Sequence, residues 1–180
     1  PVIHRRQRQM CIRDSVNTIN TRLDTRTVAY ILDHSDCKVF IVDRQFHNVA
    51  IDAIAQVNRD IIVIDIDDKQ ADLGDIPSIG KLEYESFLQT GDEGFEWIRP
   101  DDEWQAISLN YTSGTTGNPK GVVYHHRGSY LMSMGSITAW NMPNRLTYLY
   151  TVPMFHCNGW GYPWTLAMLH ARVIFIRNIV

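Results

Sequence analysis

No aspartate or glutamate follows Glu103, so residues 104–180 contain no carboxylate side chain. A segment with basic but no acidic side chains suits a polyanionic ligand, although basic residues scattered over the surface would give the same composition. The same absence leaves no carboxylate there to hold a divalent cation with such a ligand. The basic residues of this stretch are Lys120, Arg127, Arg145, Arg172 and Arg177.

Cysteine is also scarce, with Cys11, Cys37 and Cys157 far apart and no CxxC pair. This spacing excludes a disulfide framework and a zinc site, and a reducing cytoplasm is the simplest setting. Cys157 is expected to be a small packed side chain rather than a nucleophile. No apolar run approaches the ~20 residues of a membrane span, so we predict no integral membrane segment.

The composition is that of a globular protein of about one domain, with 44% hydrophobic and 21% charged residues and a net charge of -3. Asp65–Glu103 is strongly acidic and interrupted by glycine and proline, which predicts a solvated excursion. Asp65, Asp67 and Asp68 lack the EF-hand pattern, so we predict no metal ligand in the chain.

Alternating helical and strand patterns predict an α/β fold. Asp24 is expected to cap a helix that runs through Ser35. Helical spacing also covers Phe46–Val57, Gly128–Trp140 and Trp160–Leu169. The other expected elements are strands at Lys38–Val42, Ile61–Ile66, Ile107–Tyr111, Leu146–Val152 and Arg172–Val180, and a short helix at Leu82–Leu88.

The segment Thr112–Gly121, TSGTTGNPKG, has the composition of a phosphate-binding loop. Gly114 and Gly117 can take positive φ, which lets backbone N–H groups converge on an anion. Hydroxyl groups add donors, and Lys120 adds a mobile ammonium. The residues predicted to hold phosphate are Thr112, Ser113, Gly114, Thr115, Thr116, Gly117 and Lys120.

Other loop classes fit this segment poorly. A flexible linker is disfavoured because apolar, strand-like runs lie on both sides of the loop. Pro119 precedes Lys120 and Gly121 follows it, so the loop lacks the Gly-Lys-Ser/Thr end of a P-loop NTPase. No GxGxxG follows a strand, which excludes a Rossmann dehydrogenase.

Both ends of the chain depart from this pattern. Pro1–Ser15 is rich in arginine and has no apolar period, which fits a basic nucleic-acid arm, a transit peptide or an artefact fused to the reading frame. We favour the artefact, and therefore expect no nucleic-acid partner. Arg172–Val180 is apolar to its last residue, which favours a fragment of a longer protein.

Three segments resemble the adenylate-forming acyl-CoA synthetase superfamily. Tyr111–Val122, YTSGTTGNPKGV, is similar to its phosphate-binding motif, and Val152–Trp160, VPMFHCNGW, to its second core motif beside the reacting carboxylate. Asn17–Asp43 resembles its N-terminal subdomain. FHCNGWGYPW looks most like the short- and medium-chain fatty acyl-CoA ligases.

The resemblance implies part of a large AMP-binding N-terminal domain, with layered sheets and flanking helices, over residues 16–180. It implies that ATP and a fatty carboxylate give acyl-AMP, which coenzyme A then converts to the thioester. His156, Gly159 and Trp160 would contact the acyl part. The Mg²⁺ ligand, the catalytic lysine and a mobile C-terminal domain would lie outside this stretch, which leaves the fragment inactive alone.

Two alternatives stay open. The first is another adenylate-forming ligase, for aryl or amino acids, which shares the phosphate loop. The second is a nucleotide-binding module without catalysis, or an inert truncated protein, which would also carry this loop. His156 is expected to position substrate rather than act as a base, because a carboxylic acid is already ionised at neutral pH. His125, His126 and Arg127 could reach phosphate, but a structural role is favoured.

Overall fold

The computed structural model describes residues 15–96, 99–112 and 117–176. These residues form two compact units. Of the described residues, the first unit contains 15–20, 100–112 and 120–176, and the second contains 21–96, 99 and 117–119. The interpretation of Pro1–Ser15 therefore lies almost entirely outside the described residues.

The predicted alternation of helices and strands is confirmed, with most ends within about two residues. Leu82–Leu88 is a partial exception, because it begins as a strand and only then becomes a helix. In chain order the elements are β1 (Val16–Asn17), α1 (Thr25–His34), β2 (Val39–Asp43), a 3₁₀ turn (Arg44–Phe46), α2 (His47–Ile54), β3 (Ile62–Ile66), β4 (Leu82–Glu83), α3 (Tyr84–Leu88), β5 (Ala106–Tyr111), β6 (Gly121–His125), α4 (His126–Ala139), β7 (Thr147–Tyr150), a four-residue turn (Cys157–Trp160), α5 (Tyr162–Met168) and β8 (Arg172–Phe175).

The second unit is built on the parallel sheet β2-β3-β4. A helix connects β2 to β3, as the alternating pattern predicts, and α1 packs against α2. Asp24 caps α1, since its side chain accepts a hydrogen bond from the Thr27 N–H at 2.8 Å. Ile31 and Leu32 lie fully buried on the inner face of this helix. Local capping and apolar spacing therefore account for this unit.

Asp65 anchors the return of the chain to β4. Its carboxylate is buried and accepts hydrogen bonds from the N–H groups of Ile79 and Gly80, both at 2.9 Å. The Arg44 Nε lies 3.6 Å from the same carboxylate. The prediction of a solvated excursion from Asp65 is thus wrong at its start, because backbone donors occupy a carboxylate that a free loop would expose to water. Among the described residues, no three His, Cys, Asp or Glu side chains could hold a metal ion together.

We expect Asp65→Ala to lower the free energy of unfolding by about 3 kcal/mol, because it leaves two partly buried N–H groups and a nearby guanidinium without their acceptor. Asp52→Ala is the control, since Asp52 is exposed on α2 and should change stability by less than about 0.5 kcal/mol. Urea unfolding followed by circular dichroism measures both. Equal midpoints for the two variants would contradict the anchoring role.

The first unit contains the mixed sheet β1-β5-β6, in which β5 runs parallel to β1 and antiparallel to β6. β7 and β8 pair in parallel, and α4 packs against α5. The centre of β5 is buried, including Ser108, Leu109 and Asn110. Two of these three side chains are polar, which is unusual for a buried strand. No helix within the described ranges is long and apolar enough to cross a membrane.

Candidate functional site

The predicted phosphate loop connects the two strands of a hairpin. β5 ends at Tyr111, which pairs with Gly121 at the start of β6. The Thr112 N–H donates a hydrogen bond to the Lys120 carbonyl at 3.0 Å, and the Lys120 N–H donates to Thr112 Oγ1 at 3.2 Å. These two bonds close the base of the loop and fix the backbone of Lys120 beside Thr112.

The described part of the loop presents the Lys120 side chain to solvent. Thr112 and Lys120 are exposed, and within the described ranges no carboxylate pairs with Lys120. A Cβ built on Gly117 would meet no atom within 4 Å. Ser113, Gly114, Thr115 and Thr116 lie outside the described residues, so their part in phosphate binding stays a prediction.

The second motif contains a left-handed turn. Five consecutive residues have positive φ: Cys157 at 49°, Asn158 at 47°, Gly159 and Trp160 at 60°, and Gly161 at 67°. This conformation disfavours residues with a Cβ by roughly 1–2 kcal/mol each. The helix expected from Trp160 therefore begins only at Tyr162, since the turn precedes it. Strained backbone of this kind concentrates at functional sites.

Gly159 fits the turn because no other residue could take its place without movement. An added Cβ would lie 1.9 Å from Tyr150 Oη. That hydroxyl donates a hydrogen bond to the Gly159 carbonyl at 3.2 Å. Tyr150 is buried, and burial raises its pKa to about 12.

A buried amide network, which the sequence analysis missed, joins the turn to β5. The Ser108 hydroxyl and the Asn110 Nδ2 both donate to Asn158 Oδ1, at 2.7 and 2.6 Å. The Thr18 hydroxyl lies 2.9 Å from Asn110 Oδ1 and 2.8 Å from the Met154 carbonyl. Polar residues at alternate positions of an otherwise apolar strand were the one sequence signal for it.

The side chains around this turn are open to solvent. His156 and Cys157 are exposed, and Trp160 is 63% exposed. The expectation that Cys157 is packed is therefore wrong: the left-handed backbone turns it outward while its neighbour Asn158 is buried. Tyr124 contacts Cys157; burial raises the pKa of the Tyr124 phenol, the Cys157 side chain raises it further, and a hydrogen bond with Asn110 lowers it.

For His125, the predicted structural role is confirmed. Its Nδ1 accepts a hydrogen bond from the Gly128 N–H at 2.9 Å and so caps α4, and its ring lies 4.6 Å from that of Trp104. Arg127 forms an ion pair with Glu103 at 2.6 Å. This pairing gives Arg127 the structural role that the sequence favoured, because an acid upstream in sequence folds back onto it.

The fold and loop define an α/β domain with a glycine-containing hairpin loop that is predicted to bind phosphate, and comparison with known proteins gives its family. Residues 15–179 match the family described as AMP-binding enzyme, and the chain belongs to it. The resemblance seen in the sequence is confirmed.

Several relatives of the chain are named as CoA ligases. The chain is 43% identical over 174 residues to the peroxisomal acetate/butyrate-CoA ligase AAE7 of Arabidopsis thaliana, covering 91% of this chain and 31% of the relative. It is 42% identical over 174 residues to acetate-CoA ligase CCL3 of Humulus lupulus, with the same coverage. The chain thus spans under a third of the length of these relatives.

Solved structures agree on the fold class. The N-terminal domain of FACL13 from Mycobacterium tuberculosis is 25% identical with a TM-score of 0.67, covering 91% of this chain and 38% of that one. A putative long-chain-fatty-acid CoA ligase from Rhodopseudomonas palustris has a TM-score of 0.71 at 16% identity, over 92% of this chain and 39% of that one. The latter likeness concerns the fold alone.

Proposed function

We propose that the complete protein carrying this chain is an AMP-forming acyl-CoA ligase. The observation that carries this proposal is the closed loop at Thr112 and Lys120 in a chain whose relatives include named CoA ligases. A carboxylate oxygen attacks the α-phosphorus of ATP, which forms acyl-AMP and releases pyrophosphate. The thiol sulfur of coenzyme A then attacks the acyl carbonyl, loses its proton, and displaces AMP.

In this reaction the loop binds the β- and γ-phosphates. Negative charge builds up on the departing pyrophosphate, and donors that are already in place stabilise it without reorganisation. Lys120 supplies a full positive charge, and its fixed backbone limits where the ammonium can reach. Thr112, Gly117 and the four loop residues between them supply hydroxyl and N–H donors.

His156, Gly159 and Trp160 are proposed to contact the acyl-adenylate. The exposed His156 and Trp160 side chains flank the turn, and Gly159 holds its backbone. His156 positions rather than deprotonates, because the substrate carboxylate needs no proton removed at neutral pH. Exposure of an indole ring in this place suits a contact with an apolar acyl group.

Magnesium would accompany ATP in this reaction by neutralising phosphate charge. The residues around the loop do not fit it as ligands, because no carboxylate follows Glu103 and that acid is paired with Arg127. We therefore place the Mg²⁺ ligand elsewhere in the complete protein. For the same reason we expect the 180-residue chain alone to bind phosphate without completing catalysis.

Short-chain carboxylates are the proposed substrates, because the named relatives include ligases for acetate, butyrate and 2-methylpropanoate. Nucleic acid is not a proposed partner. The cytoplasm is the proposed location, supported by the free thiols of Cys37 and Cys157. The peroxisome, named for two relatives, is the competing location, and microscopy of the tagged complete protein separates the two.

Acid-dependent exchange of labelled pyrophosphate into ATP tests the proposal in the complete protein. We expect exchange with acetate, butyrate or 2-methylpropanoate, followed by thioester formation when coenzyme A is added. Exchange only with benzoate or an amino acid would move the protein to another adenylate-forming class. ATP binding without any exchange would support a non-catalytic module instead.

A further inference from the structure

The buried network around Asn158 connects the two parts of the candidate site. We propose that Ser108, Asn110 and Asn158 are positioning residues: they hold the left-handed turn at a fixed place on β5 and so set the acyl carboxylate against the α-phosphate. This inference rests on the proposed ligase function. It assigns a role to side chains that touch neither ATP nor the acyl group.

The network is saturated at its centre. Asn158 Oδ1 accepts from the Ser108 hydroxyl at 2.7 Å and from Asn110 Nδ2 at 2.6 Å, which occupies both acceptor directions of the amide oxygen. Asn158 Nδ2 donates to Thr18 Oγ1 at 3.3 Å. Each partner orients the next, so the Asn158 side chain has one arrangement.

Burial makes these hydrogen bonds decisive. Ser108 is fully buried, Asn158 is 4% exposed and Asn110 is 5% exposed. A buried polar group that loses its partner has no water to replace it, so the turn cannot move away from β5 without leaving unsatisfied groups. Apolar residues at these positions would fill the same space without fixing a direction.

Strand β5 carries two of the network residues and leads directly into the phosphate loop. Ser108 and Asn110 are two residues apart, so they lie on one face of the strand, and Thr112 follows at the next such step. Along a strand, Asn110 and Thr112 are separated by only about 7 Å. The strand therefore acts as a rigid connection between the network and the base of the phosphate loop.

The turn needs this support. Cys157, Asn158 and Trp160 all adopt left-handed backbone, which side chains with a Cβ disfavour. The amide network holds the turn from the β5 side, and the Tyr150 hydroxyl holds it at Gly159 from the β7 side. Weakening the first of these contacts shifts His156 and Trp160 while the phosphate loop stays in place.

Two serines offer a matched test in the complete protein. Ser108 and Ser133 are both fully buried, and each donates one hydroxyl hydrogen bond: Ser108 to Asn158 and Ser133 to the Ser129 carbonyl at 2.9 Å within α4. Ser108→Ala and Ser133→Ala therefore remove the same group at the same burial. Only the first removes a contact to the turn.

We expect Ser108→Ala to lower kcat/KM for the acid about tenfold in pyrophosphate exchange, since small displacements of a reacting group have large effects on rate. Its KM for ATP should stay within about twofold, and the ratio of kcat/KM for acetate to that for butyrate should change. Ser133→Ala should leave the ratio and both parameters near those of the unmodified protein. Thermal unfolding is measured for both.

Equal kinetics for the two serine variants would overturn the positioning role. A loss of acid and ATP parameters in parallel with thermal stability would also overturn it, because that pattern indicates general destabilisation. If Ser108→Ala does not fold, Thr18→Val removes the hydroxyl next to Asn110 at nearly constant volume. This variant should likewise lower kcat/KM for the acid while the KM for ATP stays within about twofold. An unmodified protein without exchange for any acid would instead contradict the proposed function, and the inference with it.

Discussion

Replacing Lys120 with alanine is expected to slow acid-dependent pyrophosphate exchange by about 100-fold, with little change in stability. Lys120 is exposed, and its backbone is held at the base of the loop by Thr112. The variant removes the ammonium and leaves that backbone contact unchanged. The loss should fall mainly on kcat, because charge on the departing pyrophosphate is largest in the transition state.

Lys81→Ala is the matched control for this experiment, since Lys81 is an exposed lysine in the second unit. It should leave exchange unchanged. Lys120→Arg keeps the charge on a larger, planar group and should recover part of the rate. An exchange rate for Lys120→Ala equal to that of Lys81→Ala would remove Lys120 from the phosphate site.

Gly159→Ala is expected to have the largest effect on stability, at least about 3 kcal/mol. Its Cβ would lie 1.9 Å from Tyr150 Oη and 2.9 Å from Cζ, and its φ of +60° already disfavours a side chain. Tyr150 is buried, so the ring cannot swing into water to make room. Urea unfolding measures the loss, and activity should fall with it.

Two further variants separate the causes of this loss. Gly135→Ala lies in the middle of α4, where an added Cβ meets no atom within 4 Å, and should raise stability by up to about 1 kcal/mol. Gly159→Ala combined with Tyr150→Phe should recover only part of the loss, because the ring carbon stays in the way. A Gly159→Ala variant as stable as the unmodified protein would show that the turn relaxes freely.

Local chemistry explains why much of the fold could be predicted from sequence. The α1 helix begins directly after Asp24 because an aspartate there can accept from the N–H three residues later, and apolar spacing then follows its buried face. The predicted phosphate loop likewise depends on neighbours, since Thr112 and Lys120 meet across a hairpin of adjacent strands. In both cases the interacting groups lie within about ten residues.

The parts that could not be predicted depend on distant partners. Asn158 meets Ser108 fifty residues upstream, and nothing in the local sequence marks that pairing. Without it, a left-handed turn at residues with a Cβ contradicts every local preference, so the sequence favoured a helix from Trp160 and a buried Cys157. The prediction that Asp65 is solvated was wrong for the same reason, because the first of the backbone N–H groups it binds lies fourteen residues later.

The hydrogen bond from the Tyr150 hydroxyl to the Gly159 carbonyl would be lost if the phenol were deprotonated. With its pKa raised to about 12, the phenol keeps its proton at any pH below about 10, and the donor to the Gly159 carbonyl stays in place. The amides and the serine hydroxyl on the other side of the turn do not ionise in that range. The scaffold behind the proposed acyl contact is thus insensitive to acidity, and any pH profile measured for the protein should report on substrates and exposed groups rather than on this scaffold.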